Sequence, residues 1–230
     1  MNTTKLMAGA VTLATLGMAS AYGADQAGFH FSIGAEGGFA GGQSDVSKTL
    51  TGRNQAGQTN SSTSTADVGT QGAGGGAMLS VGYLFEGGFC LGLEGSAMWY
   101  SSDAKLGVRG SVFTNTKVEM KDSYNVMGCF GFKTTDCVIP FIRLGAAFSK
   151  WEGDCRGNGA GKRDEYLTGF VAGLGVDFMV SKSIAIGFVY DHAWYNDMSY
   201  KGYDPACQEC SSTKIKPEIN TFKARVRFVF

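Results

Sequence analysis

Six cysteines and two histidines carry the most versatile chemistry in this chain of 230 residues. Cysteines in an oxidising compartment form structural disulfides, and we predict that chemistry for this set. The six are Cys90, Cys129, Cys137, Cys155, Cys207 and Cys210. We favour a bond from Cys155 to Cys207 or Cys210, which are spaced as Cys-Gln-Glu-Cys. A structural zinc site needs four ligands, and the polar segments around these three cysteines hold no histidine, so no metal is predicted.

The two histidines do not form a catalytic arrangement. His192 follows Asp191 and precedes Ser199, but no spacing typical of an activated nucleophile links them. His30 has no such neighbour in the sequence. We therefore expect neither an enzyme nor a bound cofactor.

Eight charged residues fall on one face of alternating, strand-like segments. They are Glu36, Glu94, Asp177, Asp191, Arg143, Lys223, Arg225 and Arg227. Because buried charges are costly unless they are paired, four acidic against four basic residues predict a closed polar interior held by ion pairs. Over the whole chain, 20 Lys and Arg balance 20 Asp and Glu, which excludes a nucleic-acid partner bound through bulk charge.

The elements that must position these charges are strands. In residues 220–230, Phe222, Val226, Phe228 and Phe230 share one face, while Lys223, Arg225 and Arg227 share the other. The same alternation predicts seven further strands, at residues 29–36, 77–85, 89–99, 123–132, 138–149, 170–178 and 185–194. Each is close to the roughly 9–11 residues that cross a bilayer at a tilt.

The connections between these segments alternate in length. Residues 86–88, 133–137 and 180–183 form short turns, whereas residues 41–73, 101–122, 152–165 and 196–217 form long polar loops. An up-and-down barrel with both termini on one side places all the short turns there and all the long loops on the other side. Residues 28–230 are thus predicted to form an all-β, eight-stranded antiparallel transmembrane barrel.

Aromatic residues are expected to form two belts at the strand ends, as at membrane interfaces. The belt beside the long loops would hold Trp99, Tyr100, Trp151, Tyr166, Trp194 and Tyr195. The belt beside the short turns would hold Phe85, Phe89, Phe132, Phe178 and Phe230.

The amino terminus has the pattern of a secretory signal peptide. Lys5 precedes a mostly apolar run at residues 6–18, and small residues follow. The run is too short for a spanning helix, which needs roughly 20 apolar residues. We predict a cleaved peptide at residues 1–23, with cleavage after Ala21 or Gly23.

With its signal peptide, its eight alternating segments, residues 173–178 before a short turn and the ending at residues 225–230, the chain resembles the OmpA-like and opacity-protein family of outer-membrane barrels. The resemblance implies that the outer-membrane assembly machinery recognises the ending through Phe222, Val226, Phe228 and Phe230. It also implies the outer membrane of a Gram-negative bacterium, with termini in the periplasm, long loops outside the cell, and lipid and lipopolysaccharide around the barrel.

Three functions are compatible with this pattern. The leading hypothesis is a structural, surface-display scaffold whose long loops mediate adhesion or contact a host ligand, because sequence-specific function tends to lie on loops. The alternative is a small passive pore. The third is a soluble, lipocalin-like carrier with its apolar face inward.

A further expectation concerns the seam where the first and last strands close the barrel. If Phe29 lies opposite Phe230, Glu36 falls opposite Lys223, and a stagger of two residues would bring Arg225 into reach instead. A buried ion pair here would set the register, since a slip by one residue would turn Glu36 to the lipid side.

Overall fold

The computed structural model describes residues 27–53, 59–102, 104–106, 116–154, 162–204 and 209–230. Regular structure in these ranges is β-strand throughout: β1 (Gly28–Arg53), β2 (Thr59–Leu84), β3 (Phe89–Ser102), β4 (Ala104–Leu106), β5 (Thr116–Phe132), β6 (Val138–Asp154), β7 (Lys162–Ser181), β8 (Ile184–Tyr195), β9 (Met198–Asp204) and β10 (Glu209–Val229). The predicted signal peptide, residues 1–23, lies outside them. None of the described residues forms a helix with the length and hydropathy of a membrane span.

The strands close into an antiparallel barrel. Neighbours follow the order β1-β2-β3-β5-β6-β7-β8-β10, and β10 pairs back with β1. The short strands β4 and β9 follow β3 and β8 along the chain after brief interruptions, and they pair only with β5 and β10, respectively. The prediction of an eight-stranded, up-and-down barrel is therefore confirmed.

The barrel is strongly staggered. A path that starts at Ser32 and passes from each residue to its partner on the next strand goes once around the barrel. It returns to β1 at Gly42, ten residues further along the strand. Such a stagger requires tilted strands, typically by about 35–45°. Eight strands enclose a lumen just wide enough to be filled by side chains.

We call the end that holds Gly28, Phe230 and the turns at residues 85–88, 133–137 and 182–183 the near end, and the opposite end the far end. The short turns were predicted correctly. The long loops were predicted wrongly, because much of each is strand. In the largest case, β1 continues to Arg53 and β2 begins at Thr59, so most of residues 41–73 forms a β-hairpin. Its Gly, Ser and Thr residues alternate without an apolar face, so the pattern gave no sign of a strand.

Along each strand the apolar residues move from the outward face to the inward face, although side chains continue to alternate between the two directions. In the near half of β10, Phe222 and Phe228 are exposed on the outside, and Lys223 and Arg225 are buried inside. Toward the far end the inward positions become apolar, as with the fully buried Ile215, and the outward positions become charged. The outside of the barrel is thus an apolar belt in its near part and polar beyond it.

The lumen beyond the belt is filled by an apolar cluster, which we call the far core. Its members are Ala40, Val46, Met120, Met127, Ala147, Trp151, Leu167, Val171, Ala193, Tyr195, Met198, Ile215 and Ile219. Trp151 and Tyr195 meet edge to face at 5.6 Å, and the hydroxyls of Ser149 and Tyr195 hydrogen-bond at 2.7 Å. This cluster gives the far part of the barrel a core of the kind found in soluble proteins.

The far core corrects the predicted aromatic belt. Trp151 and Tyr195 are buried inside the barrel, and the half-buried Tyr100 packs against the same cluster. The physical reason is alternation, because these three side chains fall on the inward face of their strands, and beyond the apolar belt that face packs into the far core. The remaining three members lie outside as expected: Trp99, Tyr166 and Trp194.

Replacing Trp151 should therefore test the far core. Trp151 has 0% of its surface exposed, whereas Trp99 on the outer belt has 45% exposed. We expect Trp151→Ala to lower the free energy of unfolding by about 3–5 kcal/mol, because it leaves a large cavity. Urea unfolding in detergent micelles measures this loss. Trp99→Ala is the matched control, and an equal loss in both variants would contradict the far core.

Candidate functional site

The structure brings all eight charged residues singled out in the sequence into one connected group in the lumen. Acidic and basic residues alternate along it, and we call it the lumenal charge chain. Its order is Glu36, Lys223, Asp191, Arg143, Glu94, Arg225, Asp177 and Arg227.

The first half of the lumenal charge chain joins four strands. Lys223 Nζ on β10 lies 3.2 Å from Glu36 Oε1 on β1 and 3.1 Å from Asp191 Oδ2 on β8. Arg143 on β6 donates through Nε to Asp191 Oδ1 at 2.7 Å, and a second guanidinium nitrogen contacts the other carboxylate oxygen. The remaining Arg143 nitrogen pairs with Glu94 on β3.

The second half runs toward the near end. Arg225 donates to Glu94 Oε2 at 2.8 Å, and it also donates to both carboxylate oxygens of Asp177, at 3.0 and 2.8 Å. Asp177 also accepts from Arg227. The Arg225 guanidinium stands 4.5 Å above the centre of the Phe141 ring. Such two-pronged arginine–carboxylate contacts are strong and directional.

The lumenal charge chain is largely buried. Arg143 is fully buried, and Lys223, Glu94, Asp177 and Arg225 expose only a few per cent of their surface or less. Charges taken out of water are tolerated only when their partners compensate them closely. Alternation along the chain supplies that compensation, because each inner member has opposite charges on both sides.

Glycines on neighbouring strands provide the space for these side chains. A Cβ on Gly187 would lie 2.1 Å from Asp177 Oδ1 and 2.9 Å from Arg225 Nε, and a Cβ on Gly173 would lie 2.1 Å from Asp191 Oδ1. Asp177 and Arg225 flank Gly187 in register, and Asp191 is the cross-strand partner of Gly173. Gly173 and Gly187 are thus required by the charges beside them.

The seam combines both predicted alternatives. The backbone register places Glu36 opposite Arg225, as the stagger of two residues would require. The ion pair nevertheless forms with Lys223, the diagonal neighbour, because Arg225 is engaged by Asp177 and Glu94. Long side chains can reach such diagonal partners across a ladder.

A cavity of about 130 Å³ lies in the near part of the lumen, beside the lumenal charge chain. Its walls include His30, Cys90, Cys129, Phe141 and Arg227. In the described part of the chain, no group of three potential metal-binding side chains is present.

The thiols of Cys90, Cys129 and Cys137 are free, so the disulfides expected for these three are not formed in the structure. Cys90 and Cys129 lie diagonally across β3 and β5, since each faces a glycine of the other strand in register. Cys155 and Cys207 lie outside the described residues, and only the backbone of Cys210 is described. A disulfide from Cys155 stays a prediction.

His192 lies on the outer face, away from the lumenal charge chain. Its Nδ1 hydrogen-bonds to Asn220 Oδ1 at 2.7 Å, and Tyr190 donates to the same oxygen at 2.5 Å. His192 also contacts the edge of the Trp194 ring, with 4.1 Å between centroids. These contacts hold a polar cluster at the outer edge of the apolar belt and include no nucleophile.

Sequence reasoning missed the far core, although its signal is present in β10. Ile215, Pro217 and Ile219 alternate with charged residues in the same phase as Lys223 and Arg225 farther along. If the apolar face is allowed to switch sides within one strand, the sequence predicts these inward positions of β10, although not the distant residues that pack against them.

The combination of an apolar belt outside and buried charges inside defines a membrane-spanning β-barrel. The sequence profile of the outer membrane protein beta-barrel domain matches residues 10–228, and the chain belongs to this family of the Gram-negative outer membrane. The apolar face points outward, so the expectation of a soluble, lipocalin-like carrier is wrong.

One solved structure supports the fold, and a second is reported beside it. The chain is similar to the outer membrane protein OprG of Pseudomonas aeruginosa, with 14% identity, a TM-score of 0.54, and coverage of 89% of this chain and 97% of OprG. It is also similar to Ail, the attachment invasion locus protein of Yersinia pestis, with 15% identity, a TM-score of 0.41, and coverage of 85% and 98%. No curated protein sequence matches the chain significantly.

A double-mutant cycle should detect the seam ion pair. We expect the Glu36→Ala, Lys223→Ala double variant to lose less stability than the sum of its single variants, with a coupling of about 1–3 kcal/mol. The reason is that Lys223→Ala leaves Glu36 buried without its cation, and Glu36→Ala removes one of the two carboxylates that Lys223 contacts. Urea unfolding in micelles measures each value.

The matched control is the pair of Lys214 and Asp197, which is closer at 2.6 Å but exposed. Solvent screening should hold its coupling below about 1 kcal/mol. Strict additivity at Glu36 and Lys223 would show that burial confers no coupling at the seam.

Proposed function

We propose that this protein is a structural, surface-display barrel whose far end mediates adhesion or contacts a host-cell ligand. The observation that carries the proposal is the far part of the barrel. It extends beyond the apolar belt, is polar outside and has its own core. A membrane anchor alone would not require strands of this length, since about 9–11 residues cross a bilayer.

This proposal includes an orientation. The termini and the short turns lie in the periplasm, and the far end lies outside the cell. Support comes from the length asymmetry of the connections, which is typical of outer-membrane barrels. Residues that contact a ligand would then belong to the hairpin ends of β1–β2, β5, β6–β7 and β9–β10.

The alternative function, a passive pore, has less support. The lumenal charge chain crosses the near half of the lumen, and the far core fills its other half. An ion would have to break buried ion pairs and then pass apolar side chains. Both steps are costly in a medium of low dielectric constant.

The apolar outer surface of the barrel suggests which molecules would contact its wall. Lipid and lipopolysaccharide would cover the apolar belt, and the assembly machinery would bind the last strand before it closes. Phe222, Val226 and Phe228 project outward with large exposed faces. Phe230 closes the seam by exchanging two backbone hydrogen bonds with Phe31, at 2.8 and 3.1 Å.

Trimming the far end should abolish adherence. Val46 faces Ala66, and Gly153 faces Arg163, across their hairpins. Replacing residues 47–65 and 154–162 each by Asn-Gly would close both hairpins with a tight turn. We expect bacteria that display the trimmed barrel to lose most of their binding to host cells, measured by adherence counts.

The matched control is Asp136→Ala in a near-end turn, which should leave adherence unchanged. Heat-dependent gel mobility checks that each barrel is folded. Full adherence by a folded, trimmed barrel would remove the proposed function.

Changing the last residue should affect assembly in cells more than folding in detergent. Phe230→Ser keeps the backbone hydrogen bonds to Phe31 but removes the aromatic ring. We expect several-fold less folded barrel in the outer membrane fraction, with nearly normal refolding of purified protein in micelles. Equal amounts of wild type and variant in the outer membrane would show that the assembly machinery does not recognise the aromatic ring of Phe230.

A further inference from the structure

The cavity of about 130 Å³ in the lumen lies between the lumenal charge chain and the near end. Its lining includes inward residues close to the near end, such as Leu84 at the end of β2 and Val229 at the end of β10. Glu94, Asp177 and Arg225 of the lumenal charge chain border its inner side. The function proposed above concerns the far end and makes no use of this space.

The cavity exists because one part of the wall carries small inward residues. Gly82 on β2 faces Gly92 on β3, and Gly92 faces Cys129 on β5. Cys90 on β3 in turn faces Gly131 on β5. A glycine places no side chain in the lumen, so three of these five inward positions leave the space beside them unfilled.

The rest of the lining is mainly apolar. Large side chains from β2, β6, β7 and β10 contribute to it: Leu84, Ile139, Phe141, Met179 and Val229. An engineered apolar cavity of about 150 Å³ is large enough to bind benzene. The cavity in this barrel therefore has room for a ring or chain of about six carbons.

Arg227 brings a positive charge to this apolar cavity. It is the last member of the lumenal charge chain, and its partner Asp177 also accepts two hydrogen bonds from Arg225. Within the described residues, Arg227 Nε is buried and has no hydrogen-bond partner. A buried donor on a charged group is costly to leave unpaired, so an acceptor that entered the cavity would be stabilised there.

We propose that this cavity binds a small monocarboxylate with an apolar body of about six carbons. The carboxylate would accept a hydrogen bond from Arg227 Nε, and the apolar body would pack against Leu84, Phe141 and Val229. Arg227 would then have a carboxylate on both sides, as the inner cations of the lumenal charge chain have. This inference is independent of the proposed function, because it concerns the opposite end of the barrel.

The lining favours a monocarboxylate over more polar anions. Phosphate or sulfate would present no apolar surface to the walls, and the carboxylates of Glu94 and Asp177 would repel a second negative charge. A neutral ring of the same size would fill the space, but it would leave Arg227 Nε without an acceptor.

Calorimetry on the full-length barrel in micelles of a neutral detergent tests the site. The probe is benzoate, and benzyl alcohol serves as its neutral counterpart with the same ring. We expect saturable binding of benzoate at one site. Benzyl alcohol should bind about tenfold more weakly, because hydrogen bonds to charged groups are strongest when the acceptor is also charged.

One substitution isolates the charge. Arg227→Met keeps a long side chain but removes the cation, and it should weaken benzoate binding about tenfold or more while changing benzyl alcohol binding by no more than about twofold. Asp177 keeps its contacts with Arg225 in this variant, so the barrel should fold. The matched control is Lys214→Met on the exposed surface toward the far end, which should bind benzoate like the wild type.

A second substitution isolates the space. Cys90→Phe fills the cavity without changing its charge, and it should abolish the binding of both probes. Cys137→Phe is the matched control, because Cys137 is exposed in a near-end turn and is not part of the lining. It should bind both probes like the wild type.

Thiol alkylation gives an independent measurement on the unaltered sequence. The thiols of Cys90, in the lining, and Cys137, outside it, are both free. Benzoate should slow the reaction of N-ethylmaleimide with Cys90 several-fold and leave the reaction of Cys137 unchanged, measured by peptide mass spectrometry.

Heat-dependent gel mobility checks that each variant is folded. The inference would be overturned by absence of saturable benzoate binding, by equal affinities for benzoate and benzyl alcohol, by undiminished benzoate binding in Arg227→Met or Cys90→Phe, or by unprotected Cys90. If either variant fails to fold, the preference of the wild type for benzoate and the protection of Cys90 decide the matter.

Discussion

The ion pairs of the lumenal charge chain are the interaction on which the rest of the barrel depends. Four carboxylates and four cations can be buried in the lumen only if each meets an opposite charge at contact distance. Their strands must therefore keep both register and phase, because a slip by one residue would turn a charge toward lipid. The glycines beside Asp177 and Asp191 follow from the same constraint, since a Cβ would occupy the space of the carboxylates.

A second constraint acts where the strands leave the apolar belt. The surroundings of the barrel change there from hydrocarbon to water. The apolar residues of each strand must therefore move from the outward positions to the inward positions. In β10 the change occurs around Asn220 and Thr221, between the buried Ile219 and the buried Lys223. The barrel thus has an ionic core inside its belt and a hydrophobic core beyond it.

These two cores determine where function can reside. Together they fill the lumen at two levels, which leaves the far-end surface as the part accessible to a macromolecular partner. There the wall opens into two sheets, because β2 and β7 continue past the points where their ladders with β3 and β8 end.

The sequence by itself determined the near half of this molecule. Alternation of Phe222, Lys223 and Arg225, repeated in eight segments, was sufficient to predict the strands, the short turns and the members of the lumenal charge chain, because a strand's period of two is a local property. Which charges pair was decided only by the tertiary structure, since the stagger of the barrel sets the partner of Glu36 across 187 residues of chain. The far core and the divided wall also depended on tertiary structure. Trp151 and Tyr195 are buried by strands that are distant in sequence, and Ser- and Thr-rich strands have no apolar face from which a local pattern could be read.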